Sequence, residues 1–187
     1  MQTIAVKDMR KKYSDYAKLD DGNRYELING VLSVMEPGAA QAHQGVNGEL
    51  FRQLANYLLD SPCKVFHPPF DVCLNACGDD DTTVVQPDVV IVCDPSKLDG
   101  KRCNGAPDMI IEILSPLSAR RDMLVKFNNY MKAGVREYWI VDPKDKMVRV
   151  CILINGKYDF NDYIDVELLP VSVLEGCEID MKRVFDQ

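Results

Sequence analysis

Hydrophobic positions in this chain recur at two periods, and the switches between them predict a mixed α/β order. Val6, Met9, Tyr13, Tyr16 and Ala17 fall at helical spacing with Thr3 available as a cap, which predicts an amphipathic helix over residues 6–19. Two apolar runs then flank Asn29-Gly30, a dipeptide that accepts the positive φ angles of a two-residue hairpin turn. Val46, Leu50, Leu54, Tyr57 and Leu58 line one face of a helix over residues 40–59. Strands are expected at 64–66, 70–74, 88–92, 109–114 and 137–141, with a polar loop at 75–82. A second long helix over 118–133 presents Met123, Phe127, Tyr130 and Met131 and meets Gly134 where a helix-ending glycine belongs. Apolar runs at 147–154 and 157–163 flank Asn155-Gly156 as a second hairpin, and short pieces follow to Gln187. No internal repeat interrupts this order.

Two of the buried-strand runs carry a carboxylate: Asp88 opens one and Glu112 stands late in the other. A carboxylate against an apolar run is costly unless it is paired or binds a metal. If the two strands are neighbours, a sheet brings both acids to one end, where a hard divalent ion could be held with room for water and phosphate oxygens. Asp122 and Lys126 lie at helical i, i+4 spacing and so share a face. That pair reads either as a surface ion pair worth about 0.3–0.5 kcal/mol or as a lysine brought to the metal site to stabilise charge on a scissile phosphate.

Composition narrows the setting. At 187 residues and 47% hydrophobic content the chain fits one domain, 1–187, with a substantial core. No apolar run of about 18 residues is present to span a membrane, and the first residues lack the layout of a signal peptide, so a cytoplasmic location is expected. A net charge of −7 argues against a protein that coats nucleic acid by bulk electrostatics. Arg120, Arg121, Lys126, Lys132 and Arg136 leave room for a local basic surface, or form a solvated helix face of mixed charge. The 7 cysteines include one close pair, Cys73 and Cys77, with no further ligands at zinc-finger spacing. The odd count predicts reduced thiols, with Cys93 and Cys151 acting as small hydrophobes in strands. Asp79-Asp80-Asp81 lacks the spacing of a calcium loop and is expected to be a solvated loop tip.

Tyr25-Glu26-Leu27-Ile28-Asn29-Gly30, His43, Gln86-Pro87-Asp88, Glu112-Ile113-Leu114-Ser115-Pro116, Asp122, Lys126 and the stretch from Gly134 to Pro143 occur in the order seen in one family. In these motifs, over about residues 6–165, the chain resembles the Uma2 family of putative restriction endonucleases. The resemblance implies a restriction-endonuclease-like core of the PD-(D/E)XK superfamily, a mixed β-sheet flanked by helices with β-hairpins. It further implies that Asp88 and Glu112 hold Mg²⁺ or Mn²⁺, that Lys126 is the catalytic lysine, and that DNA is the substrate. Glu26 would add a metal ligand, and His43 would contact phosphate or carry a proton; the alternatives are a hairpin surface charge for Glu26 and a helix-start hydrogen bond for His43. One departure stands out: Leu114 occupies the position where the wider superfamily has its lysine, so Lys126 has to reach back from the next helix. His67, before Pro68-Pro69, reads as a loop residue, and Tyr138 and Trp139 read as core. Nucleases of this fold commonly act as dimers, and the apolar tail at 166–173 is a candidate interface. Two other readings remain open: a catalytically silent nucleic-acid-binding or regulatory module, and a metal-dependent hydrolase of another phosphodiester.

Overall fold

In the computed structural model, residues 10–35, 40–115 and 120–186 are described, the side chains of residues 120–122 excepted. The chain runs α1 (Tyr13–Tyr16), β1 (Tyr25–Ile28), β2 (Val31–Val34), α2 (Gln41–Tyr57), β3 (Lys64–Phe66), β4 (Asp71–Cys73), β5 (Val84–Val85), β6 (Val89–Val92) and β7 (Arg102–Asn104). It continues through β8 (Met109–Ile113), α3 (Arg120–Ala133), β9 (Glu137–Asp142), β10 (Met147–Ile154), β11 (Lys157–Ile164), β12 (Leu168–Pro170), β13 (Glu178–Asp180) and α4 (Met181–Phe185).

The continuous apolar runs become the centre of a six-stranded mixed sheet, ordered β11-β10-β9-β8-β6-β3. Runs without polar alternation bury both faces, and the side chains divide by parity. Val89, Ile91, Ile111, Trp139 and Val141 face one core with Leu50 and Leu54 of α2. Val90, Val92, Ile110, Tyr138 and Ile140 face a second core with Tyr130 of α3. β8 and β9 are parallel, joined by α3, while β6 and β8 are antiparallel neighbours. A five-stranded sheet, β2-β1-β5-β4-β7, contributes Val72 and Val85 to the second core. The chain passes from this sheet to the larger one through Gln86-Pro87-Asp88, between β5 and β6, where a proline needs to donate no ladder hydrogen bond.

Both Asn-Gly hairpins form as predicted, with φ of 52° and 82° at Asn29 and Gly30 and 51° and 77° at Asn155 and Gly156. Other expectations are corrected. Of the helix expected over 6–19, a single turn at Tyr13–Tyr16 is seen; Thr3, Val6 and Met9 lie outside the described residues. Cys63 and Cys93 are joined as a disulfide rather than standing as reduced thiols. They flank the paired residues Lys64 and Val92, so strand register brings them face to face. Asp81 is no solvated tip: it is fully buried, accepting from the Asn75 and Thr83 backbone N–H groups and from the Asn75 side chain, each at 2.8 Å. Asp79 and Asp80 pair with Arg102 and Lys12. In the tail expected as a candidate interface, Leu169 and Val171 are buried in this chain's own core while Leu168 is exposed.

Within the second core the Tyr138 hydroxyl is buried with no hydrogen-bond partner among the described residues. An unsatisfied buried hydroxyl opposes folding, so Tyr138→Phe is expected to leave stability unchanged or raise it by about 1 kcal/mol. Urea denaturation checks this, and a clear loss would show that the hydroxyl has a partner.

Candidate active site

Three elements bring carboxylates to the junction of the two sheets. Register pairs Val89 with Ile111, and one step further the same antiparallel pairing sets Asp88 opposite Glu112. The sequence required this adjacency, and strand order supplies it. Asp88 Oδ2 accepts the Ile113 N–H at 2.8 Å and lies 3.2 Å from His43 Nε2, which reaches over from the first turn of α2. Glu26, on β1 of the smaller sheet, has the parity of Ile28, which packs against the second core. Its Oε1 accepts the Gln86 N–H at 3.1 Å.

Lys126 closes the group from α3. Its Nζ lies 2.8 Å from Glu26 Oε1 and 3.0 Å from Glu112 Oε1, with side-chain exposures of 15%, 11% and 14%. The lysine missing after Glu112 is thus replaced in space: Leu114 packs against the second core, and the ammonium arrives from the next helix. The Tyr130 hydroxyl, one turn beyond Lys126, donates to Glu112 Oε1 at 2.6 Å. Tyr130 was legible only as an apolar-face residue, although its i+4 spacing from Lys126 places both on one side of the helix.

The electrostatics follow from this crowding. Burial pushes the proton affinity of Glu112 well above the usual carboxylate range; Lys126 opposes that rise, and the charges of Asp88 and Glu26 add to it. Burial alone would depress Lys126, but Glu112 and Glu26 outweigh it and the net shift is upward. The hydrogen bond to Asp88 raises His43. His43 Nδ1 is buried without a partner among the described residues.

Each of the three carboxylates is pinned by two protein groups on a single oxygen: Glu26 Oε1 by Lys126 and Gln86, Asp88 Oδ2 by Ile113 and His43, Glu112 Oε1 by Lys126 and Tyr130. The second oxygen of each takes none of these contacts. Among the described residues no three acidic, histidine or cysteine side chains converge as a preformed metal cage. Hard oxygen donors, with three acids beside one lysine ammonium among the described side chains, nonetheless fit a Mg²⁺ ion held by one or two carboxylates, with water and phosphate completing its shell.

The other candidates scatter. His67 lies in the loop after β3, edge-on to Phe51. Trp139 is fully buried and donates to Glu137, itself buried. Arg136 pairs with Asp108. The side chain of Asp122 lies outside the description. Gln86, which carried no obvious role in the sequence, proves to be a polar hub: Arg24 donates to its Oε1, while its Nε2 donates to Tyr16 and Asp71.

Two mixed sheets with few helices, and acidic side chains gathered where the sheets meet, make up a mixed α/β fold. The chain superposes on the crystal structure of a putative nuclease belonging to DUF820 from Anabaena variabilis, with a TM-score of 0.75 and 19% identity over 94% of this chain and 97% of that one. At that identity the likeness establishes the fold. The chain belongs to the Uma2 family, described as "putative restriction endonuclease", whose model matches residues 11–182. No curated protein matches it. Among the described residues no helix is long and apolar enough to cross a membrane.

Proposed function

We propose that this protein is a metal-dependent endonuclease that hydrolyses DNA phosphodiester bonds with Mg²⁺ or Mn²⁺, acting as a single domain. The observation that carries the reading is the set of three largely buried carboxylates gathered at one place, each tied to the protein through one oxygen, beside a single lysine ammonium among the described side chains. Asp88 and Glu112 would hold the ion, with Glu26 beside them. A bound Mg²⁺ supplies a Lewis acid for the phosphate and an acidified water as nucleophile.

The remaining roles belong to the chain itself. Ile113 N–H and His43 fix the orientation of Asp88, so His43 serves as its support. Lys126 can donate three hydrogen bonds; two go to Glu26 and Glu112, and the third is available to a phosphate oxygen or the attacking water. Charge that builds on the phosphate then meets an ammonium already oriented, at little cost of reorganisation.

The test is nicking of supercoiled plasmid and cutting of single-stranded DNA by wild type and Glu112→Gln, purified identically, with Mg²⁺, with Mn²⁺ and with EDTA. Wild-type cleavage that disappears in EDTA and in the variant is expected. Equal cleavage by both proteins would overturn the assignment. DNA binding that falls steeply with salt, without scission, would favour a silent binding module, and cleavage of RNA alone would move the substrate.

A further inference from the structure

We propose that Tyr130 is a positioning residue of this site, holding Glu112 in place while Lys126 turns to the substrate; the inference rests on the nuclease reading above. Lys126 and Tyr130 stand one turn apart on α3 and both donate to Oε1 of Glu112. They are not equivalent donors. Lys126 ends a flexible four-carbon stem and divides its ammonium between Glu26 and Glu112, so a phosphate arriving at the site competes directly with both acids. Tyr130 has no such freedom. It is fully buried, and its ring meets that of Tyr138 edge-on, with centroids 5.0 Å apart, so packing rather than charge fixes where the hydroxyl points.

At 2.6 Å the Tyr130 bond is a short O–H···O contact of the kind a hydroxyl makes to a carboxylate. With Oε1 held, Glu112 cannot rotate as the ammonium moves, and Oε2 keeps one direction. Without the hydroxyl, the hold on Oε1 passes to Lys126, which is then tied to the acid it has to leave. The arrangement parallels the hydrogen-bonding partners that orient metal-ligating carboxylates and histidines in general.

Tyr130→Phe keeps the ring and its packing and removes only the donor, and Tyr138→Phe removes a hydroxyl from the same aromatic cluster that has no hydrogen-bond partner among the described residues. Mn²⁺ binding by titration calorimetry without DNA, measured well below each melting point, is set beside kcat and KM for plasmid nicking. Mn²⁺ affinity or kcat in Tyr130→Phe is expected to fall about 10- to 100-fold, with KM for DNA and the melting temperature near wild type and Tyr138→Phe unchanged. Wild-type affinity and kcat in Tyr130→Phe, beside an active wild type, would overturn the positioning role alone. A melting temperature that drops in Tyr130→Phe while Mn²⁺ affinity and kcat hold would show that the hydroxyl merely stabilises the fold. A wild type that neither binds Mn²⁺ nor cuts would overturn the nuclease reading and this inference together.

Discussion

Asp88→Asn is expected to lower DNA cleavage by at least about 10²–10³-fold, equivalent to about 3–4 kcal/mol of transition-state stabilisation, while the protein stays folded. The substitution is nearly isosteric, and an amide oxygen can still accept the Ile113 N–H that now bonds Oδ2. What disappears is the negative charge at the junction between the sheets and the partner of His43. Stability should hold or rise slightly, because Asp88 is one of the like charges that oppose ionisation of Glu112. Matched thermal melts and plasmid assays read both effects. Undiminished cleavage by Asp88→Asn would remove this residue from the site, and a collapsed melting temperature would recast it as structural.

Lys126→Met is expected to cost about 2–3 kcal/mol of stability at neutral pH, less than the 3–5 kcal/mol typical of breaking a buried pair. The lysine is the cation seated between Glu26 and Glu112, all three largely withdrawn from water. Methionine keeps the stem but leaves the acids facing one another. The loss is capped because burial and neighbouring charge have already raised the proton affinity of Glu112, so it can take up a proton instead of remaining an uncompensated anion. A divalent cation that binds the native state stabilises it by mass action, so millimolar Mg²⁺ should raise the melting temperature of Lys126→Met more than that of wild type. Calorimetry with Mg²⁺ and with EDTA gives the answer. A variant as stable as wild type and indifferent to Mg²⁺ would show that the ammonium compensates nothing.

Where the sequence misled, pairings and turns that only folding makes decided the outcome. Val84–Val85 and Arg102–Asn104 are too short or too polar to announce themselves, and they become strands because their neighbours pair with them. Asp81 looks like its solvated neighbours, yet folding turns it inward to satisfy three N–H donors from the turn. Cys63 and Cys93 stand 30 residues apart, and only the register of β3 against β6 makes them partners. The tail at 166–173 was legible as apolar but not as belonging to the chain's own core.

The family resemblance brought in Glu26 and His43; by itself the sequence determined the two-faced burial of the central strands, both Asn-Gly hairpins, the two long helices, and the candidacy of Asp88, Glu112 and Lys126. Those signals are local, since periodicity, turn chemistry and an acid in an apolar run act within a few residues. Only the tertiary structure decided that β6 and β8 are neighbours, that Lys126 spans acids from two different sheets, and that Ile113 N–H, Gln86 N–H and the Tyr130 hydroxyl hold the three carboxylates by one oxygen each. Backbone donors look alike at every position of a sequence, and which oxygen they occupy is set by strand order and helix docking, where contacts between distant segments govern.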